Sequence, residues 1–150
     1  MTVDVQDNRP ETLSRVLNPL MRGLLRSPVG RLIGRFGLLE FHGRRTGRRY
    51  LVPVGLHGAP GDLVVFTPAR WRLNFSGGSP ATLHHRGKSH PVRGVLVDDP
   101  STVAERLRRQ FEADTKPRDV GLRVRPGHMI TATDVAAVNR AIIRIEATNH

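Results

Sequence analysis

The 150-residue chain has no cysteine, one tryptophan and one tyrosine. Missing cysteine excludes disulfides, thiolate zinc sites, iron–sulfur clusters and cysteine nucleophiles, and it leaves the redox compartment open. No apolar run approaches the ~20 residues of a membrane-spanning helix. Aromatic residues make up 5% of the chain. No strand interleaves them as base-stacking platforms do, which argues against nucleic acid as a partner. The opening "MTVDVQDNRPETLS" is polar and acidic, unlike a secretory signal, so a cytoplasmic location is expected. There is no G-x-S-x-G, no H-E-x-x-H and no Walker loop. Carboxylates are sparse, and no nucleophile sits beside a base. His84 and His85 are adjacent, so on a strand they point to opposite faces, and no metal site is expected there.

Arginine is what the chain has in excess. Lys+Arg number 24 against 13 Asp+Glu, a net charge of +11, and the lysines are only Lys88 and Lys116. A planar guanidinium grips carboxylates and phosphates with two parallel bonds. Such a surface invites an anionic partner: nucleic acid, an acidic membrane or a small polyanion. A solvated basic surface is the plain alternative.

At this length a single domain is expected. Residues 1–10 read as a disordered tail. Residues 11–36 read as an amphipathic helical segment: Leu13, Val16, Leu17, Leu20, Met21, Leu24 and Leu25 recur at three and four residues, with a kink at Pro19. Arg15, Arg22, Arg26, Arg31 and Arg35 mark its other face. That face is compatible with weak attachment to an acidic membrane, while the leucines compete to pack on the domain. From residue 37 to 148 the pattern changes to short strands separated by turn signals, with one clear helix in "DPSTVAERLRRQFEAD", capped by Asp99 or Ser101, and a final strand "AIIRIEA". Strands joined by short turns, without regular alternation with helices, argue against a doubly wound sheet. A small barrel or sandwich with peripheral helices fits the order.

The most unusual stretch is "HGRRTGRRYLVPVG", His42 to Gly55. Arg44, Arg45, Arg48 and Arg49 flank Thr46-Gly47. Thr46 offers a hydroxyl, and Gly47 permits a positive φ and a close backbone approach. Val52, Pro53 and Val54 follow as an apolar wall, and Pro53 marks an edge or bulge because it has no N–H to donate. With no catalytic side chains on view, the chemistry of an enzyme here would reside in a cofactor.

"GRRTGRRYLVPVG" resembles the T-x-G-R-[KR]-[ST]-G-x-x-[RY]-x-x-P-[LV] signature of the deazaflavin-dependent nitroreductase family. "DLVVFTP" followed by "RWRLNF" is similar to that family's strand and P-x-W-Y-x-N-L segment, and the likeness runs from about Leu38 to Val97. The resemblance implies an α+β, mainly β fold: a split β-barrel related to FMN-binding, pyridoxamine-phosphate-oxidase-like proteins, with an N-terminal amphipathic helix and peripheral helices. It implies a homodimer and the cofactor coenzyme F-420, an 8-hydroxy-5-deazaflavin with a phospholactyl oligoglutamate tail; FMN is the alternative. The expected cofactor-binding residues are Arg44, Arg45, Thr46, Gly47, Arg48, Arg49, Val52, Pro53, Val54, Thr67, Pro68, Trp71 and Asn74. Trp71 and Arg72 are the expected substrate-pocket residues, facing a small-molecule acceptor such as a quinone, a nitroaromatic or an activated alkene. Trp71 stands open between pocket wall and core, and Asn74 between a cofactor bond and a helix cap. Arg72 replaces the family's tyrosine, and the loop before Trp71 is shortened to "TPAR". A non-catalytic binding or carrier protein for F-420 or another anionic ligand is the alternative function.

Overall fold

Residues 5–7, 35–113 and 115–148 are described by the computed structural model. The strands are β1 (Val5–Asp7), β2 (Phe36–His42), β3 (Arg49–Gly55), β4 (Leu63–Thr67), β5 (Ser79–His85), β6 (Lys88–Val97), β7 (Leu122–Val124) and β8 (Ala141–Ala147). The helices are α1 (Pro100–Ala113) and α2 (Ala132–Ala137), and short 3-10 turns cover Arg70–Phe75 and Pro117–Val120. The expected amphipathic segment and its membrane or packing face lie outside the described residues, apart from Arg35 and Phe36. Val5–Asp7, expected within a disordered tail, instead pair antiparallel with β7. Burial explains the difference: Val5 is only 2% exposed and joins a core contributed by distant residues, a contact with no local signal.

Six strands form one antiparallel sheet in the order β3-β2-β5-β6-β8-β4. It curls into a half-barrel with β3 and β4 as its edges. The edges are joined where His57 and Val64 exchange backbone bonds of 3.0 and 2.9 Å. The β2–β3 register runs unbroken through Pro53, which pairs with Leu38. Pro53 therefore marks an edge strand and not a bulge. The β5–β6 hairpin closes through Arg86 and Gly87, both at positive φ, as a two-residue turn requires.

Two cores follow from the alternation of side chains. Leu39, Phe41, Val54, Val65, Leu83, Val92, Ile143 and Ile145 fill the concave side with Phe75. Val64, Phe66 and Ile142 face outward and meet Val103, Ala104 and Leu107 of α1, together with Val120, Leu122, Ile130 and Val135. Strand β4 is thus covered on both faces, which is why it reads as an unbroken apolar run; β8 is buried on both faces only over Ala141, Ile142 and Ile143, before the exposed Arg144. Asp99 caps α1: its carboxylate accepts from the Thr102 N–H at 3.0 Å and the Thr102 hydroxyl at 2.8 Å. Thr131 and Asp134 form a capping box on α2. Among the described residues, no helix is long and apolar enough to cross a membrane.

Candidate functional site

The turn between β2 and β3 is built as its sequence demands. The Gly47 N–H donates to the Gly43 carbonyl and the Gly43 N–H to the Arg48 carbonyl, each at 2.8 Å. Gly47 sits at φ +70°, with no atom within 4 Å of where a side chain would begin. The Thr46 hydroxyl oxygen accepts from the Arg48 N–H at 3.2 Å, leaving its own proton to donate. Gly43 has a different reason: a Cβ there would lie 2.9 Å from the Tyr50 ring, which lies over its backbone.

Opposite this turn stands the 3-10 turn of Arg70–Phe75. Side chains three apart eclipse in such a turn, so it has three distinct sides. Phe75 is fully buried and anchors one side, and Arg72, three residues before it, shares that direction. Trp71 with Asn74, and Arg70 with Leu73, occupy the other two and line a cleft of about 640 Å³ with Gly43, Arg44, Arg45, Thr46 and Tyr50. Its aromatic lining, Tyr50 and Trp71, rests on the buried Phe41 and Phe75 behind it. Phe41 stacks on Tyr50 with centroids 5.3 Å apart and meets Trp71 at 5.7 Å and Phe75 at 4.9 Å.

Asn74 ties the two turns together. Its Oδ1 accepts from the Arg44 N–H at 2.9 Å, and its Nδ2 donates to the Trp71 carbonyl at 2.9 Å. It is therefore a brace within the site, and it caps no helix. Trp71 is both wall and core: it lines the cleft while packing edge-on against Phe75 at 6.0 Å.

The arginines divide by occupation. Arg44 spends its guanidinium on the Ser76 carbonyl and, at 3.4 Å, the Gly78 carbonyl. The Nε of Arg49 donates to Glu40 at 2.8 Å. Glu40 also meets His84 at 2.8 Å. First Arg49 and then His84 hold its carboxyl down at about 2. Arg45, Arg48 and Arg70, by contrast, have no ion pair or side-chain hydrogen bond among the described residues. Arg45 and Arg70 stand on the cleft itself.

Trp71 also borders a second space of about 170 Å³, a groove along the seam between the edge strands. Val52, Pro53 and Val54 form one wall, Val65, Phe66 and Thr67 another, and Asp119, Val120 and Gly121 the third. The apolar wall read from the sequence is therefore present, next to the arginine cleft and sharing Trp71 with it.

Other expected residues lie elsewhere. Gly47, Arg48 and Arg49 line neither space. Pro68 contributes only its carbonyl, which accepts from Arg72 at 2.8 Å. Arg72 lines neither space: its guanidinium also reaches the Ala69 carbonyl at 3.1 Å and the Asn139 Oδ1 at 3.3 Å. These three oxygens draw it away from the pocket position expected of it. Arg70, Tyr50, Gly43 and Leu73 were not among the expected residues. The three-residue spacing back from Phe75 is the signal that separates Arg70 from Arg72. Among the described residues no cluster of three metal-ligating side chains occurs.

No protein-family model matches the chain, and no curated protein does. A solved structure described as an F-420 reductase aligns over 85% of this chain and 93% of its own, with a TM-score of 0.42 and 16% identity.

Proposed function

We propose that this protein binds reduced coenzyme F-420 and passes its hydride to an organic acceptor of the quinone, nitroaromatic or activated-alkene type. The supporting observation is the pairing of two spaces across Trp71: a cleft bearing Arg45 and Arg70, whose guanidinia have no partner among the described residues, and an apolar groove along β3. The donor set fits the cofactor. Its tail carries a phosphodiester and carboxylates, which free guanidinia and the Thr46 hydroxyl can hold through charge-assisted bonds. Its ring is planar and apolar enough for the wall of Val52, Pro53 and Val54. The reduced deazaflavin, when bound, supplies the hydride. The protein's own part is to orient the ring, exclude water with Trp71 and the β3 wall, and fix the tail so that the acceptor is held close. Among the described residues the cleft lining holds no carboxylate or histidine, and this chemistry needs none.

The test is a titration of the purified protein with F-420 beside FMN. F-420 is expected to bind at least about tenfold more tightly, because FMN's single phosphate engages fewer arginines. Equal or better FMN binding overturns the assignment. Reduced F-420 is then mixed anaerobically with menadione, with boiled protein as the blank. Tight binding with no turnover across quinones, nitroaromatics and enones replaces the reductase by a carrier of the same cofactor.

A further inference from the structure

We infer that Asn139 and Arg140, two adjacent residues at the junction of α2 and β8, set the width of the seam groove and thereby position a planar ring bound in it; that the ring is a deazaflavin rests on the function proposed above. Neither residue lines the groove. They act on two of its walls from behind.

Arg140 is 3% exposed. Its guanidinium donates to the Gly121 carbonyl at 2.8 Å, the Val120 carbonyl at 3.3 Å and the Val138 carbonyl at 3.1 Å. Val120 and Gly121 are groove wall. Their position is therefore fixed by a buried cation whose desolvation makes loss of those bonds costly.

Asn139 holds the facing wall. Its Oδ1 accepts from Arg72 Nη2 at 3.3 Å, and the same guanidinium grips the carbonyls of Pro68 and Ala69. That loop joins Thr67 to Trp71, both groove-lining. Asn139 sits at φ +54°, a conformation in which asparagine is among the few tolerated residues besides glycine. Ala141, which follows Arg140, pairs in register with Thr67. The dipeptide thus connects the Thr67–Trp71 wall to the Val120–Gly121 wall. The third wall, β3, is a sheet edge joined to β4 through the His57–Val64 bridge. The groove is braced on two sides, and any adjustment to a ligand falls on β3.

Asn139→Gly keeps the positive φ and removes the acceptor; Asn139→Asp keeps both. Trp71 is the single tryptophan, so its emission reports the wall directly. Asn139→Gly is expected to increase acrylamide quenching of Trp71 in the ligand-free protein. It should weaken binding of the deazaflavin nucleoside lacking the tail by roughly three- to tenfold, the value of one hydrogen bond. Affinity for inorganic pyrophosphate, which probes the arginine cleft, should not change. Asn139→Asp should restore the wild-type values. Unchanged quenching, equal losses for both probes, or failure of Asn139→Asp to restore overturns the inference. If the wild-type protein does not bind the nucleoside, the proposed function falls instead, and the quenching contrast between the two variants still decides the role of Asn139.

Discussion

The Arg44 backbone N–H and the Asn74 side-chain oxygen meet at 2.9 Å across 30 residues of chain. Through this bond the turn that carries Arg45 and Thr46 is held at a fixed distance from the turn that carries Arg70 and Trp71. Asn74→Ala removes that bond and the one to the Trp71 carbonyl. The expected stability loss is about 1–2 kcal/mol, seen as a lower urea midpoint with an unchanged slope. Affinity for F-420 should fall as well, because the two halves of the cleft are no longer prearranged. A variant that loses stability but keeps full affinity would reduce Asn74 to a purely structural brace.

The arginines should separate into two sets. Arg45→Ala and Arg70→Ala are expected to weaken F-420 binding by about tenfold each, with little change in melting temperature. The weakening should grow smaller at high salt, where exposed charge contributes less. Arg48→Ala should have a smaller effect, since Arg48 lies outside the cleft lining. Arg44→Ala and Arg49→Ala should act on stability, and only weakly for Arg49, whose pair with Glu40 is screened by solvent. Calorimetric titration with parallel thermal melts checks the division. Uniform losses of affinity across all five would mean a diffuse basic surface and no built cleft.

The division was only half visible in the sequence. The Thr46-Gly47 turn, the apolar β3 wall and the final strand could be read because their signals are local: a glycine at a turn, the apolar Leu51 to Val54 stretch, and the alternation of Ile143, Arg144, Ile145 and Glu146. Arg44, Arg45, Arg48 and Arg49 look alike in a string. Which of them is spent depends on the Ser76 and Gly78 carbonyls and on Glu40, set by strand pairing and the placement of the 3-10 turn. The family resemblance puts Arg72 in the pocket because it stands at the tyrosine position, and nothing local in the string shows that the Pro68 and Ala69 carbonyls and the Asn139 side chain will take its guanidinium. The β1–β7 pairing lacked a signal because three residues are too few for a period.

Acid should act through Glu40. Its folded pKa is lowered from 4.5 to about 2, by Arg49 first and then His84. A depressed carboxylate contributes stability above its unfolded pKa, and that contribution is lost as pH falls through the folded value. The window is therefore about pH 5 down to about 2. Melting temperature measured across this range should fall less steeply in Glu40→Gln than in wild type. Some slope will remain, because Asp119 is also held low, first by the Lys116 amide and then by Arg35 against an opposing cost of burial. Parallel curves for the two proteins would show that the Arg49–Glu40–His84 row adds nothing to folding.

Gly94 tests whether the concave core sets the site. A Cβ at this position would fall 2.5 and 2.7 Å from two atoms of the Phe75 ring and 3.3 Å from Ile143. Phe75 is 0% exposed and packs against Phe41 and Trp71, so it has no free space into which to withdraw. Gly94→Ala should cost about 1–3 kcal/mol of stability through overpacking. The displaced ring belongs to the same 3-10 turn as Trp71 and Asn74, so Trp71 emission should shift and F-420 affinity should fall together with stability. Phe75→Leu gives the added methyl room. The double variant should therefore be more stable than the sum of the single losses allows, a coupling expected of residues in contact. Additive losses would show that the clash is relieved by movement of β6, leaving the turn and the cleft undisturbed.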